Sequence, residues 1–185
     1  MVTSRYERTH RRLTECAMDL FETQGFEETT VTQIAAKAEV TEMTFFRHFP
    51  SKDLVVLTDP YDPAIADSVA AQPTDAPALK RTVRGIRCAL GELPEPESEL
   101  VQRRVRIIAG SASLRAKSAK THTATETRIS EQLIADGADV LVARTVAAAV
   151  LAALTAAIFE WARDERWTLR TAIEGALNAL ESHDD

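Results

Sequence analysis

Seven prolines in 185 residues fall at four places: Pro50, Pro60 with Pro63, Pro73 with Pro77, and Pro94 with Pro96. A proline inside a helix removes a backbone donor and clashes with the preceding turn, so helices end where prolines stand. Between these marks the apolar residues return every three or four positions, the period of a helix rather than a strand. Leu13, Cys16, Ala17, Leu20 and Phe21 form one stripe, stopped by Gly25. Val31, Ile34, Ala35 and Ala38 form a second. Phe45 and Phe49 add one turn, and Ser51 is placed to cap a helix from Lys52. The pattern resumes over Leu79–Leu90, Val101–Ile108, Thr121–Ala135, Val140–Trp161 and Ile173–Leu180. No alternating segment of strand length interrupts it, so the expectation is an all-α protein of about nine helices.

Apolar residues make up 45% of the chain and charged residues 27%, a balance able to bury a core without staples. Cys16 and Cys88, two lone thiols, make neither a disulfide framework nor a zinc site. The longest apolar run, Val146–Phe159, is too short for a bilayer, and Met1–Arg12 is polar and basic. A cytoplasmic protein without a membrane span is expected. Catalysis finds no footing. There is no phosphate-cradling Gly-rich loop, His-Glu-x-x-His, Cys-x-x-Cys or Gly-x-Ser-x-Gly, and His10, His48, His122 and His183 lack metal-ligand spacing. No catalytic residue, metal or cofactor is assigned.

Within Glu7–His48 one long helix precedes two short ones, joined by the tight connection Glu39-Val40-Thr41. That is helix-turn-helix spacing. The second short helix, about Glu42–His48, is expected to expose Met43, Thr44, Arg47 and His48 while Phe45 and Phe49 point inward. Polar groups on a narrow helix with a rigid apolar base suit the reading of base edges in a major groove. A thymine methyl would suit Met43. Residues 1–53 carry seven basic and nine acidic side chains, a net of −2, so binding must depend on a local basic face with a modest salt slope.

The strings Ala17-Met-Asp-Leu-Phe-Glu-Thr-Gln-Gly25-Phe26, Thr30-Val31-Thr-Gln-Ile34-Ala35 and Val40-Thr41-Glu-Met-Thr44-Phe45-Phe46-Arg47-His48-Phe49-Pro-Ser51-Lys52 resemble the N-terminal domain of the TetR family of bacterial regulators. The resemblance covers about residues 8–57. It implies a helix-turn-helix DNA-binding domain, residues 1–53, followed by a helical ligand-binding and dimerisation domain, residues 54–185. It also implies a cytoplasmic homodimer on a near-palindromic double-stranded operator, usually a repressor, released by a small-molecule effector. Carried over residue by residue, Thr32 and Thr41 open helices and hold phosphates, and Met43 and Thr44 meet bases. Arg47 and His48 reach a guanine edge or a phosphate, and Lys52 is the phosphate-binding lysine. A basic arm of Arg5, Arg8, Arg11 and Arg12 would track the backbone. Two departures stand out. Glu39 occupies a turn position where the family has Gly, implying strain or an altered turn. Phe46 replaces the family's Tyr and loses a hydroxyl contact to phosphate. Thr44–Arg47 followed by Phe49–Lys52 is also similar to the mycofactocin-regulator-like subgroup, some of whose members respond to long-chain acyl-CoA.

In the C-terminal part, seven alanines lie between residues 147 and 157 of a helix that is apolar nearly all round. Such a helix should be buried, either within the chain or against a second copy. Val150, Leu154 and Ile158, with Ile173, Leu177 and Leu180 of the last helix, are the expected dimer surface. Arg87 and Arg104 sit on apolar stripes, Arg104 beside Ile108, and His122 and Glu126 share a face with Ile129 and Leu133. Inward polar groups suggest either a mostly apolar cavity for an acyl-type anion, lined by Arg87, Arg104, Ile108, His122, Glu126 and Phe159, or internal salt bridging such as Arg104 with Glu126. The alternative to a ligand-responsive regulator is one without a small-molecule ligand, controlled by a protein partner.

Overall fold

The computed structural model describes residues 4–57, 61–92, 98–164 and 166–182. Pro60, Pro94, Pro96 and His183 lie outside the described residues. Among the described residues there are ten helices and no strand. Two compact units divide the chain: Met1–Thr58 with Arg103–Lys117, and Asp59–Gln102 with Ser118–Asp185. The division expected after residue 53 is contiguous, whereas the observed one is not. Polar ties explain the return of 103–117 to the first unit. Arg103 bridges Asp19 at 2.7 Å and Glu22 at 2.6 Å. Ser111 and Ser113 donate to Glu27, and Lys117 pairs with Asp53 at 2.9 Å.

In the first unit, α1 (Arg5–Gln24) starts in a reciprocal cap between Ser4 and Glu7 and ends at Gly25, whose φ of 89° ordinary residues rarely adopt. The residues expected as an arm are therefore the opening turns of this helix. α2 (Val31–Lys37) is capped by Thr30 and Gln33, α3 (Glu42–His48) by Thr41, and α4 (Leu54–Leu57) is a single turn. Leu13, Ala17, Met18, Ile34, Phe45, Phe49, Val55 and Val56 close around one core.

The second unit contains α5 (Tyr61–Ala70), α6 (Ala78–Glu92), α9 (Val140–Arg163) and α10 (Leu169–Glu181). It also holds the start of α7 (Ser98–Gly110) and most of α8 (Ala112–Ala135). α5 and α6 meet at Gly85, where a Cβ would lie 2.6 Å from the Val69 Cα. Val69, Val83, Ile86, Ile129, Leu133, Val150, Leu154 and Leu177 form the centre of the core. Arg81, 3% exposed, pairs with Asp136, which also accepts from Gln132. α8 begins nine residues before the expected Thr121. Ser111 caps it by accepting from the Leu114 N–H, while the polar stretch 115–120 offers no apolar stripe to read. α9 is long and apolar enough to cross a membrane by length and composition alone. Here one face packs on α6 and α10, and 33% of its most apolar stretch is buried.

Candidate nucleic-acid interface

α3 is anchored from below by Phe45, Phe49 and His48, which are 0%, 4% and 9% exposed. Thr41 caps it, accepting from the Thr44 N–H at 3.2 Å. With that face fixed, Met43 stands 82% exposed and Phe46 50% exposed. Arg47 is exposed and Thr44 half-buried, so the outward face carries two apolar side chains, a hydroxyl and a cation. α1 and the helix-turn-helix connection flank it with a cleft of about 710 Å³, lined by Arg5, Tyr6, Thr9, Arg12, Glu39, Val40, Thr41, Thr44, Arg47 and His48. Three guanidinium groups and three threonine hydroxyls there suit a polyanion's backbone. Tyr6 and Thr9 carried no signal in the sequence, because they bear no charge and sit off the apolar stripe.

Three expected contacts are corrected. His48 is not presented to bases. Its ring packs 4.2 Å from Tyr6 and 5.7 Å from His10, and its Nδ1 is buried without a hydrogen-bond partner. Burial, then the neighbouring His10 and Arg47, pushes the His48 pKa down; burial and then Arg104 do the same to His10. Both shifts favour the neutral ring. Lys52 is not extended toward a phosphate. Its ammonium donates to the carbonyls of Phe26 at 2.7 Å, Thr29 at 2.8 Å and Glu27 at 3.3 Å, over the Phe26 ring. Those bonds use all three of its donors. Thr32 stands in the first turn of α2, two residues after the Thr30 cap, but its hydroxyl is turned to Glu42, to which it donates at 2.6 Å. Glu39 adopts φ 51°, the left-handed geometry its place in the turn required, and its carboxylate lies 3.8 Å from Arg12.

The expected ligand residues are distributed over both units. Arg104 and Ile108 belong to the first unit, whereas Arg87, His122, Glu126 and Phe159 belong to the second. Arg87 is engaged within that unit, donating to Glu174 at 2.9 Å, Glu181 at 2.9 Å and Asn178 at 2.7 Å. It ties α6 to α10, so the internal-pairing alternative describes Arg87, with partners that lie 87 to 94 residues along the chain. His122, Glu126 and Phe159 are half-buried, and the His122 Nδ1 lies 3.5 Å from the Thr155 hydroxyl.

Residues 13–57 match the family described as bacterial regulatory proteins, tetR family, and residues 76–185 match the MftR C-terminal domain. The chain belongs to the TetR family. Its C-terminal part is of the MftR type, and the family is one of bacterial regulatory proteins rather than of enzymes. The transcriptional regulator TcmR of Streptomyces glaucescens is 39% identical over 94 residues, a match covering 50% of this chain and 42% of that protein. Among solved structures, native NalD of Pseudomonas aeruginosa aligns with a TM-score of 0.63 at 23% identity, covering 95% of this chain and 96% of its own. Thermus thermophilus FadR in complex with lauroyl-CoA aligns with a TM-score of 0.52 at 23% identity, covering 92% of each chain. Those two likenesses concern the fold.

In this TetR-family chain the expected dimer residues need correction too. Val150 and Leu177 are 0% exposed, Leu154 6% and Ile173 5%, all inside the single chain, with Ile158 and Leu180 packed against the same core. The outward face of α9 includes Leu141, Ala148, Ala149, Ala152 and Ala156, and that of α10 includes Gly175 and Ala179.

Proposed function

We propose that the protein is a homodimeric repressor that holds a near-palindromic operator and leaves it when a small apolar or acyl-type effector binds. The observation that carries the DNA part is the rigid α3, with Met43, Thr44, Phe46 and Arg47 outward beside a cleft containing Arg5 and Arg12. One such helix reads only a half-site, so specific binding calls for two, centred about 34 Å apart on one face of the duplex. The exposed alanine-rich face of α9, with Gly175 and Ala179 of α10, supports pairing of two chains, because small side chains let helices approach closely. The domains then divide as a DNA-reading unit, Met1–Thr58 with the returned segment Arg103–Lys117, and an effector and dimerisation unit. The protein would act in the cytoplasm, where its DNA is.

The effector part rests on the MftR-type match and on the Thermus regulator's complex with lauroyl-CoA. In this chain the supporting feature is a polar pair, His122 and Thr155, beside the half-buried Phe159. A ligand there would act by preferring a conformer whose recognition helices no longer fit adjacent grooves. Reversing a 99:1 preference takes about 5.5 kcal/mol of differential affinity. The test is a titration of saturated acyl-CoAs and free fatty acids into a preformed operator complex. Release by one chain-length class, weakened in Phe159→Ala, is expected. An undisturbed complex across the whole series contradicts the effector and favours control by a protein partner.

A further inference from the structure

We infer that the operator is read partly through thymine methyl groups, with Met43 and Phe46 acting as a paired apolar reader on the outer face of α3. The inference rests on the DNA-binding reading and names what that surface recognises.

Met43 and Phe46 are the two large apolar side chains that the described part of the helix-turn-helix segment leaves in solvent, at 82% and 50% exposure. Phe46 is not loose. Its ring stands edge-on to the fully buried Phe45, with centroids 5.6 Å apart and planes at 89°, so the core fixes its position. Residues at i and i+3 share one helix face and lie ~4.5 Å apart along the axis at ~1.5 Å per residue. Base pairs repeat every ~3.4 Å, so the two side chains can address neighbouring steps. Neither has a strong donor or acceptor. The apolar feature that a base pair shows in the major groove is the thymine C5 methyl.

The surroundings say what covers the pair. Arg47 lies next to Phe46 and one turn from Met43, and the adjoining cleft adds Arg5 and Arg12. Two apolar side chains beside three guanidinium groups match a polyanion with methyl groups on its floor. They are too few for the apolar centre of a protein interface. The nearest carboxylate on the helix, Glu42, is held by the Thr32 hydroxyl.

The experiment starts with full-length protein and a random duplex pool. Each thymine of the enriched site is then replaced by deoxyuridine, which removes only the methyl group. The expected result is a threefold to fivefold affinity loss at two positions in each half-site. Met43→Ala should abolish the sensitivity at one of them and Phe46→Ala at the other. Phe46→Leu, which keeps an apolar group, should retain part of it. An enriched site with no methyl-sensitive thymine overturns the inference while leaving DNA binding intact. So does sensitivity that persists in both alanine variants. A pool that yields no enriched sequence overturns the DNA reading and the inference with it.

Discussion

Replacing Lys52 with Met separates a structural role from a phosphate contact. The substitution keeps the apolar stem over Phe26 and removes only the ammonium, which bonds three main-chain carbonyls of the α1–α2 loop at 2.7, 2.8 and 3.3 Å. Hydrogen bonds to a charged group contribute about 1.5–3 kcal/mol. The site is half-buried, so water partly replaces the lost donor, and a net loss of about 2 kcal/mol is reasonable. For a chain of this length that lowers the Tm by about 4–8 °C. Each phosphate contact contributes about 0.9 to the slope of log K against log salt, so a phosphate-binding lysine would show itself there. The expected outcome in Lys52→Met is a lower Tm by calorimetry and an unchanged salt slope for operator binding at low temperature. An unchanged Tm with a slope reduced by about one would refute the stapling role and restore Lys52 as a phosphate ligand.

Glu39→Gly should raise the Tm, because relieving left-handed strain gives about 1–2 kcal/mol and the greater freedom of unfolded Gly takes back about 0.5–1. Glu39→Ala keeps the Cβ and should show no gain in the same melting experiment. His10 and His48 have pKa values below the ordinary 6.5 because they are buried. The unfolded chain therefore binds protons that the folded one refuses. The stability from keeping them neutral is full above pH 6.5 and declines as pH falls through the depressed folded values. The Tm difference between pH 7.5 and 5.5 should shrink in the His10→Gln, His48→Gln double variant. Gly85→Ala puts a Cβ 2.6 Å from the Val69 backbone and should cost about 1–3 kcal/mol, read as a shift in the denaturant midpoint.

The helices were legible where an apolar stripe and a stop coincide. Leu13 to Phe21 with Gly25 defines α1, and the buried Phe45 and Phe49 define the base of α3. α5 and the first half of α8 were not. α5 is short, and Arg115–Lys120 is a polar helical surface with no periodic signal. Contacts between distant segments were equally hidden. Local spacing put Arg87 on an apolar stripe, but its carboxylate partners come from α10. Lys52 matched a family position, yet the carbonyls it bonds lie 23 to 26 residues earlier. The same limit misplaced Val150 and Leu177. Past the exposed first turn of α9, Val140–Val142, the strong apolar positions of α9 and α10 go to the chain's own core, and the apolar positions left outward are alanine and glycine. Glu39 shows the opposite case. One residue in a turn that needs a left-handed backbone was enough to foresee its φ of 51°.

The most direct measurement is a binding titration of the full chain against the DNA upstream of its own gene and a shuffled duplex of equal length, with stoichiometry from sedimentation. The expected result is a preference of about a hundredfold or more, within the ~10³–10⁷ range of specific binders or just below it, at two protomers per site. Equal, weak, steeply salt-dependent binding to both duplexes, or one protomer per site, would contradict a dimeric reader of a near-palindromic operator at this DNA.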